Sequence, residues 1–172
     1  MTVTVCRLNR QEAEAHLDGL AETLALAVQG GAGVGFILPF TAMDARAWWA
    51  AQLPDVANGA RILFGAIEHG RLVGTVSLLP ASPQNQPHRA DIGKMLVHPD
   101  ARRKGVGEAL LAAAEVEARR IGRSVLVLDT VTGSAAERLY RRIGWQVVGS
   151  IPNYALNPSG GYDSTTVMWK AL

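Results

Sequence analysis

The stretch Val97-His98-Pro99-Asp100-Ala101-Arg102-Arg103-Lys104-Gly105-Val106-Gly107-Glu108-Ala109-Leu110-Leu111 decides the reading of this chain. An apolar, strand-like run ends there in a basic turn with two glycines, and an amphipathic helix begins. Gly105 and Gly107 carry no side chain to hold a ligand off the backbone, and the first amides of the helix, at Val106, Gly107 and Glu108, have no intrahelical acceptor. An anion in front of that turn would meet free N–H groups and the charges of Arg102, Arg103 and Lys104, so the stretch reads as a pyrophosphate site.

Two other phosphate loops do not fit. The nucleotide-triphosphatase loop needs a second glycine followed by Lys-Ser/Thr, and the chain has no such string; the dinucleotide fingerprint needs a third glycine where Leu110 stands. The spacing Arg-x-x-Gly-x-Gly, supplied by Arg102, Gly105 and Gly107, is instead similar to that of the GCN5-related N-acetyltransferase superfamily, whose members hold the pyrophosphate of acetyl-coenzyme A on this turn.

Composition bounds the rest. The chain has 172 residues, 48% of them hydrophobic and 19% charged, which suits one globular domain over residues 1–172 with a full core. A formal net charge of +2 gives no general affinity for polyanions, so nucleic acid is not an expected partner. No apolar run approaches the roughly 20 residues of a membrane span, and the first residues lack the features of a signal peptide, so a cytoplasmic protein is expected. Cys6, the single cysteine, falls in an alternating run and is expected in the core. His16, His69, His88 and His98 show no metal-ligand spacing and are expected at the surface or in turns; no metal is expected.

Along the chain, Val3 to Arg7 reads as a strand. Asn9-x-x-Glu12 is a capping box for a helix with Leu17, Leu20, Leu24 and Val28 on one face. Gly30 to Gly35 follows a helix rather than a strand and is expected to be a substrate-side loop. Thr41-x-x-Asp44 caps a second helix carrying Trp48 and Trp49 as packing residues and faltering near Pro54. Ile62 to Glu68 and Leu72 to Leu79 form a hairpin turning at His69-Gly70. Then come a strand at Ala90 to Val97, a helix at Gly105 to Ile121, a strand at Ser124 to Asp129, a helix at Ser134 to Ile143, and strands at Trp145 to Ile151 and Thr165 to Lys170, with a long connection between the last two. Tyr162 and Asp163 are expected to shape that connection.

The order β-α-α-β-β-β-α-β-α-β-β resembles the acetyltransferase fold, an α/β (α+β) architecture whose central mixed, mostly antiparallel sheet has helices on both faces. A second signature supports it: Leu126 to Asp129 followed by Ala135 to Trp145 is similar to the family's strand and short helix ending in Tyr140, Gly144 and Trp145. Many members carry an asparagine seven residues before that tyrosine; Gly133 stands here, with Ser134 beside it as helix cap and candidate coenzyme contact. Gly30-Gly31-Ala32, Leu128-Asp129-Thr130, and Ile151-Pro152-Asn153-Tyr154 with Asn157 to Gly161 resemble the tabtoxin-resistance type of acetyltransferase.

Chemistry adds roles. An amine of pKa near 10.4 is only about 0.04% neutral at pH 7, so attack on a thioester needs a proton acceptor. Asp91, on the strand before the basic turn, and Asp129, at the end of the next strand, are the candidates, each against a salt-bridged or turn reading. The resemblance makes Tyr140 the general acid at the departing sulfur, packing being the other reading. A bulge near Leu96 or Val97 would offer a backbone amide to the thioester oxygen, and the resemblance implies that the coenzyme's pantetheine arm pairs along that strand. The implied function is acetyl transfer from acetyl-CoA to the primary amine of a small molecule, an amino-acid-like toxin or antibiotic being the favoured class. A protein or peptide acceptor and a non-catalytic acyl-CoA sensor are the alternatives. A homodimer is a further expectation from the resemblance.

Overall fold

The computed structural model describes residues 3–172. Seven strands form one sheet in the order β1-β2-β3-β4-β5-β7-β6, all neighbours antiparallel except β4 and β5. The strands are β1 (Thr4–Leu8), β2 (Ile62–Glu68), β3 (Arg71–Pro80), β4 (Arg89–Val97), β5 (Val125–Val131), β6 (Gln146–Leu156) and β7 (Tyr162–Ala171). Helices α1 (Arg10–Ala15), α2 (Leu17–Gln29) and α3 (Ala42–Asn58) cover one face; α4 (Val106–Arg120) and α5 (Ala135–Arg142) cover the other. The mixed, mostly antiparallel sheet with helices on both faces is the expected architecture.

Each face has its own core. Leu20, Leu24 and Val28 of α2 meet Trp49 of α3 and Leu63, Leu72 and Leu96 of the sheet. Leu110, Leu111 and Ala114 of α4 pack on Phe64, Val76, Ile92 and Leu126 on the opposite side. Burying a leucine side chain contributes about 1.5–3 kcal/mol, so the apolar stripes of α2 and α4 hold the layers together.

Local sequence explains most boundaries. The side chain of Asn9 accepts from the Glu12 amide at 2.9 Å while Glu12 accepts from the Asn9 amide at 2.7 Å, and Thr41 with Asp44 repeats the device. His69 (φ 52°) and Gly70 (φ 79°) make the two-residue hairpin with two positive φ angles that joins β2 to β3.

Several expectations change. The first helix is two, broken at His16 (φ −99°, ψ 14°). Helix α3 runs through Pro54 to Asn58, anchored on either side of the proline by buried Leu53 and Val56. The long connection before the last strand is a hairpin: Leu156 already pairs with Tyr162, and residues 152–154 oppose Ser164 alone in a wide bulge. Asn153, at φ 50°, absorbs the bend, and Tyr162 and Asp163 belong to β7. Cys6 is exposed on edge strand β1: Val3 and Val5 pack toward α4, so Cys6 points to the other side, where it stays open at the edge of the sheet.

The region that matters for chemistry lies between β4 and β5. Their parallel pairing consists of Arg89, Ala90 and Asp91 against Val125, Leu126 and Val127, and then the strands part. Beyond Asp91, the β5-facing backbone of β4 has no strand partner. At the same level β4 carries a bulge, because Ser77 pairs with Gly93 but Thr75 with Leu96. Lys94 is the bulged residue, with φ 47°. Before it Ala90 and Ile92 face α4; after it Met95 and Val97 do, and Leu96 turns to α2.

Candidate active site

The basic turn follows directly from β4. Pro99–Ala101 form one turn of 3-10 helix whose buried Ala101 pins it to the α4-side core. Arg103 (φ 60°) and Gly105 (φ 79°) then fold the backbone back on itself, an arrangement that points successive amides into one concavity. Gly105 is the N-cap of α4 and has no side chain to cap it. Among the described residues no backbone carbonyl accepts from the amides of Arg103, Lys104 or Gly105. A Cβ at Gly105 would point into open space, so the glycine is there for its φ and for access to the backbone. Gly107 has a different reason: a Cβ there would stand 3.0 Å from Leu139 Cδ2, so it lets α4 pack against α5.

Arg102, Arg103 and Lys104 are exposed around this concavity. Arg102 Nε donates to the Val97 carbonyl at 3.2 Å, and Glu108 at the rim lies 4.0 Å from Arg142. The free amides, the cations and the unpartnered edge of β4, with Leu96 and Val97 at its end, fit a phosphate-bearing thioester whose arm lies in the β4–β5 gap. His98, expected at the surface or in a turn, does enter the turn but is buried at this exit. Its Nδ1 accepts from the Asp100 amide at 3.2 Å, and its Nε2 lies 2.8 Å from Arg71 Nη2.

A cavity of about 360 Å³ opens where β4 and β5 part. Its walls are the bulge (Gly93, Lys94, Met95), the end of β5 (Asp129, Thr130, Val131), Tyr140 of α5, the loop Gly33–Gly35, and Tyr154 to Leu156 facing Asp163 to Thr165. The loop closes one side of the cavity because Gly33 comes so close to β5 that a Cβ would stand 2.6 Å from Val131 Cγ2. Its continuation is tied to the β6–β7 turn by Leu38 N–H to Pro158 O, 2.9 Å.

The two acidic candidates separate. Asp129 lines the cavity and accepts from Thr165 Oγ1 at 2.9 Å. Asp91 is not among the lining residues; it ion-pairs with Arg89 at the base of the gap, where β4 and β5 are still joined. Tyr140 is buried, its ring 5.8 Å from that of Trp145. Burial pushes its phenol well above the ordinary tyrosine value, and the charge of Asp129 adds to the effect. Ser134 caps α5 by accepting from the Glu137 amide at 3.1 Å and lies 3.3 Å from Thr130 Oγ1. Gly133, beside it, donates its amide to Glu137 Oε2 at 2.6 Å. Buried Glu137 also pairs with Arg141, and these bonds hold its carboxyl below the usual range.

Lys94 is the site residue that the sequence reading missed. Its Nζ donates to Val34 O at 2.9 Å and lies 5.5 Å and 5.0 Å from the ring centres of Phe36 and Trp48. Burial pushes the ammonium pKa down, as does the charge of Arg61, while Asp129 opposes them. The available signal was the break in alternation at Gly93-Lys94, after which three apolar residues run consecutively. Of the two tryptophans, Trp49 is core packing, and Trp48 is only half-buried between Lys94 and Arg61.

Among the described residues no three His, Cys, Asp or Glu side chains are grouped to hold a metal ion, and no helix is long and apolar enough to cross a membrane. The chain is 36% identical over 118 residues to a mycothiol acetyltransferase of Propionibacterium freudenreichii, covering 67% of this chain and 36% of that enzyme; it thus spans about a third of that relative's length. It is 32% identical over 131 residues to an uncharacterised N-acetyltransferase of the hisH-hisA intergenic region of Azospirillum brasilense, covering 74% of each. The Salmonella typhimurium protein yncA, solved with its cofactor acetyl-CoA, superposes with a TM-score of 0.75 at 22% identity over 100% of this chain and 95% of that one, a likeness of fold. The Acetyltransferase (GNAT) family model matches residues 14–145, and with the sheet, the split strands and the basic turn described above, the chain belongs to that family.

Proposed function

We propose that residues 1–172 act as one acetyl-CoA-dependent N-acetyltransferase domain whose acceptor is the primary amine of a small molecule, of the amino-acid-like toxin or antibiotic class. The observation that carries this reading is the cavity itself, which gathers Asp129 and Tyr140 at the β4–β5 gap, in line with the amide-lined turn at Arg102 to Gly107. Its walls of loop Gly33–Gly35 and strand end Tyr154–Leu156 enclose a space suited to a small acceptor. Family membership supports acetyl transfer.

In the proposed reaction Asp129, directly or through water, takes the proton that the acceptor ammonium must lose. The neutral nitrogen attacks the thioester carbonyl, whose oxygen is held by an amide at the end of β4. Tyr140 donates a hydrogen bond to the sulfur as the C–S bond breaks. The raised phenol pKa keeps Tyr140 protonated at neutral pH and makes it a weaker acid than a free tyrosine. It therefore steadies the thiolate by hydrogen bonding, with water completing the proton transfer. Asp91, bound to Arg89, has a structural part in this scheme. No covalent enzyme intermediate is involved.

We further propose a cytoplasmic homodimer paired through β6. That strand hydrogen-bonds only β7, is exposed along its whole length, and presents Val148, Ile151 and Leu156 to solvent.

Calorimetric titration with acetyl-CoA, with NADPH and ATP at equal ionic strength as controls, tests the coenzyme reading. Micromolar affinity for acetyl-CoA alone, about −8 kcal/mol, is expected; a folded sample that does not bind it refutes the reading.

A further inference from the structure

Lys94 is unusual among the cations of this protein. Lys170 sits 2.7 Å from Glu115, Arg141 2.6 Å from Glu137 and Arg120 2.6 Å from Glu117. Among the described residues, Lys94 and Arg61 have no carboxylate at ion-pair distance, although both are half-buried. Arg61 leans on Trp48 and bonds the neutral groups Ser77 Oγ at 2.7 Å and Gln52 Oε1 at 3.1 Å; its Nε is buried with no partner. Two cations flank one indole with no carboxylate in ion-pair contact with either, Asp129 and Asp55 acting on them only at longer range. Withdrawing such charges from water without a counter-ion is costly, so the site is short of an anion. Lys94 also spends only one of its three N–H donors on protein, at Val34 O.

Its placement narrows what that anion is. The bulge turns Lys94 out of the strand ladder into the cavity wall, while Asp129 stands on the β5 wall of the same cavity, near enough for its charge to act on the lysine. One small cavity thus presents an ammonium on one side and a carboxylate on the other. A ligand that satisfies both carries an anionic group and an amine at opposite ends.

We propose that Lys94 is the specificity-determining residue for the acceptor: it binds the carboxylate of an amino-acid-like substrate and so directs the amine to Asp129. This rests on the acetyltransferase reading above and names the substrate class of that same site. The Val34 carbonyl and the Phe36 and Trp48 rings hold the Lys94 ammonium itself, so the charge is positioned before the acceptor arrives. Its depressed pKa accords with an unpaired buried ammonium, which a bound carboxylate would relieve.

The test is a panel of common L-amino acids, their carboxamides and the matching decarboxylated amines, with coenzyme A release measured for the wild type, Lys94→Met and Lys94→Arg. Carboxylate-bearing amines are expected to be the best acceptors. Lys94→Met should raise KM for them by about 10- to 100-fold, the loss of one charged hydrogen bond, leave KM for the carboxamides unchanged, and leave acetyl-CoA affinity and melting temperature near wild type. Lys94→Arg should recover much of the loss. The proposal is overturned if carboxamides or decarboxylated amines are the better acceptors, or if Lys94→Met shifts KM equally for both groups. It is also overturned if acetyl-CoA binds and no carboxylate-bearing amine is acetylated. Failure to bind acetyl-CoA at all refutes the coenzyme reading instead, and this proposal with it.

Discussion

Tyr140→Phe removes one oxygen atom and isolates one step of the proposed chemistry. The ring is buried against Trp145, and among the described residues its hydroxyl has no hydrogen-bond partner to leave unsatisfied. Packing is preserved, and the stability change should stay within about 1 kcal/mol. The effect on turnover should be much larger. The phenol is held well above its ordinary value by burial and by Asp129, so it remains a donor across any practical assay pH. A thiol near pKa 8.5 is the stronger acid, so the hydrogen bond to the developing thiolate is the whole of the contribution lost. Removing one such donor to a developing charge costs about 10²- to 10³-fold in rate, or about 3–4 kcal/mol of barrier. Coenzyme A release at saturating substrates, read beside acetyl-CoA affinity and a thermal melt, separates the possibilities. We expect kcat to fall by that factor with affinity and melting temperature almost unchanged. A kcat within threefold of wild type, in a variant that still binds acetyl-CoA, would show that the hydroxyl takes no part.

Two further expectations concern the scaffold. Gly107→Val should destabilise by about 1–3 kcal/mol in urea unfolding, because even its Cβ would stand 3.0 Å from Leu139 Cδ2 with Met95 and Val97 behind it; a variant as stable as wild type would mean that α4 shifts freely on α5. Glu137 is held below its ordinary value of 4.5 by the Gly133 amide and Arg141, so the unfolded chain binds its proton more readily. The stability it contributes is complete above the unfolded value and is lost as pH falls through the lower folded one. Melting curves between pH 3 and 7 should therefore show a shallower acid slope for Glu137→Gln than for wild type, together with a lower melting temperature at pH 7; an unchanged slope would contradict the assignment.

What was legible in the chain was local. The basic turn, helix α4, the capping boxes and the His69-Gly70 hairpin each follow from residues a few positions apart, and the structure has all of them. The features that escaped depend on distant partners. A lysine in a strand reads as solvated, and Lys94 is half-buried because residues 34 and 36, some sixty positions earlier, fold over it. His98 reads as a turn residue until Arg71 arrives from the far side of the β2–β3 hairpin. Alternation around Cys6 gave the period of β1 correctly, but period alone does not say which face a helix will cover. Pro152, Asn153, Gly160 and Gly161 look like the punctuation of a loop; β6 and β7 accommodate the first two in a bulge and the last two in a tight turn. Of the two carboxylates, only the splay of β4 from β5 distinguishes the one that reaches the cavity.

The bulge at Lys94 makes β4 two half-strands running out of phase. Deleting Lys94 would restore regular alternation and leave Leu96 toward α2 and Met95 and Val97 toward α4, whereas straightening the strand with all its residues kept would exchange those layers for everything downstream. Both hydrophobic layers would be misassigned at once, and the basic turn would be carried along with the slipped end of the strand. A deletion in the turn 157–161 would disturb neither core. Loop composition is thus free to drift as acceptors change, whereas the extra residue between Ile92 and Leu96 and the bulge that absorbs it come and go together, and any redesign of specificity has to respect that pairing.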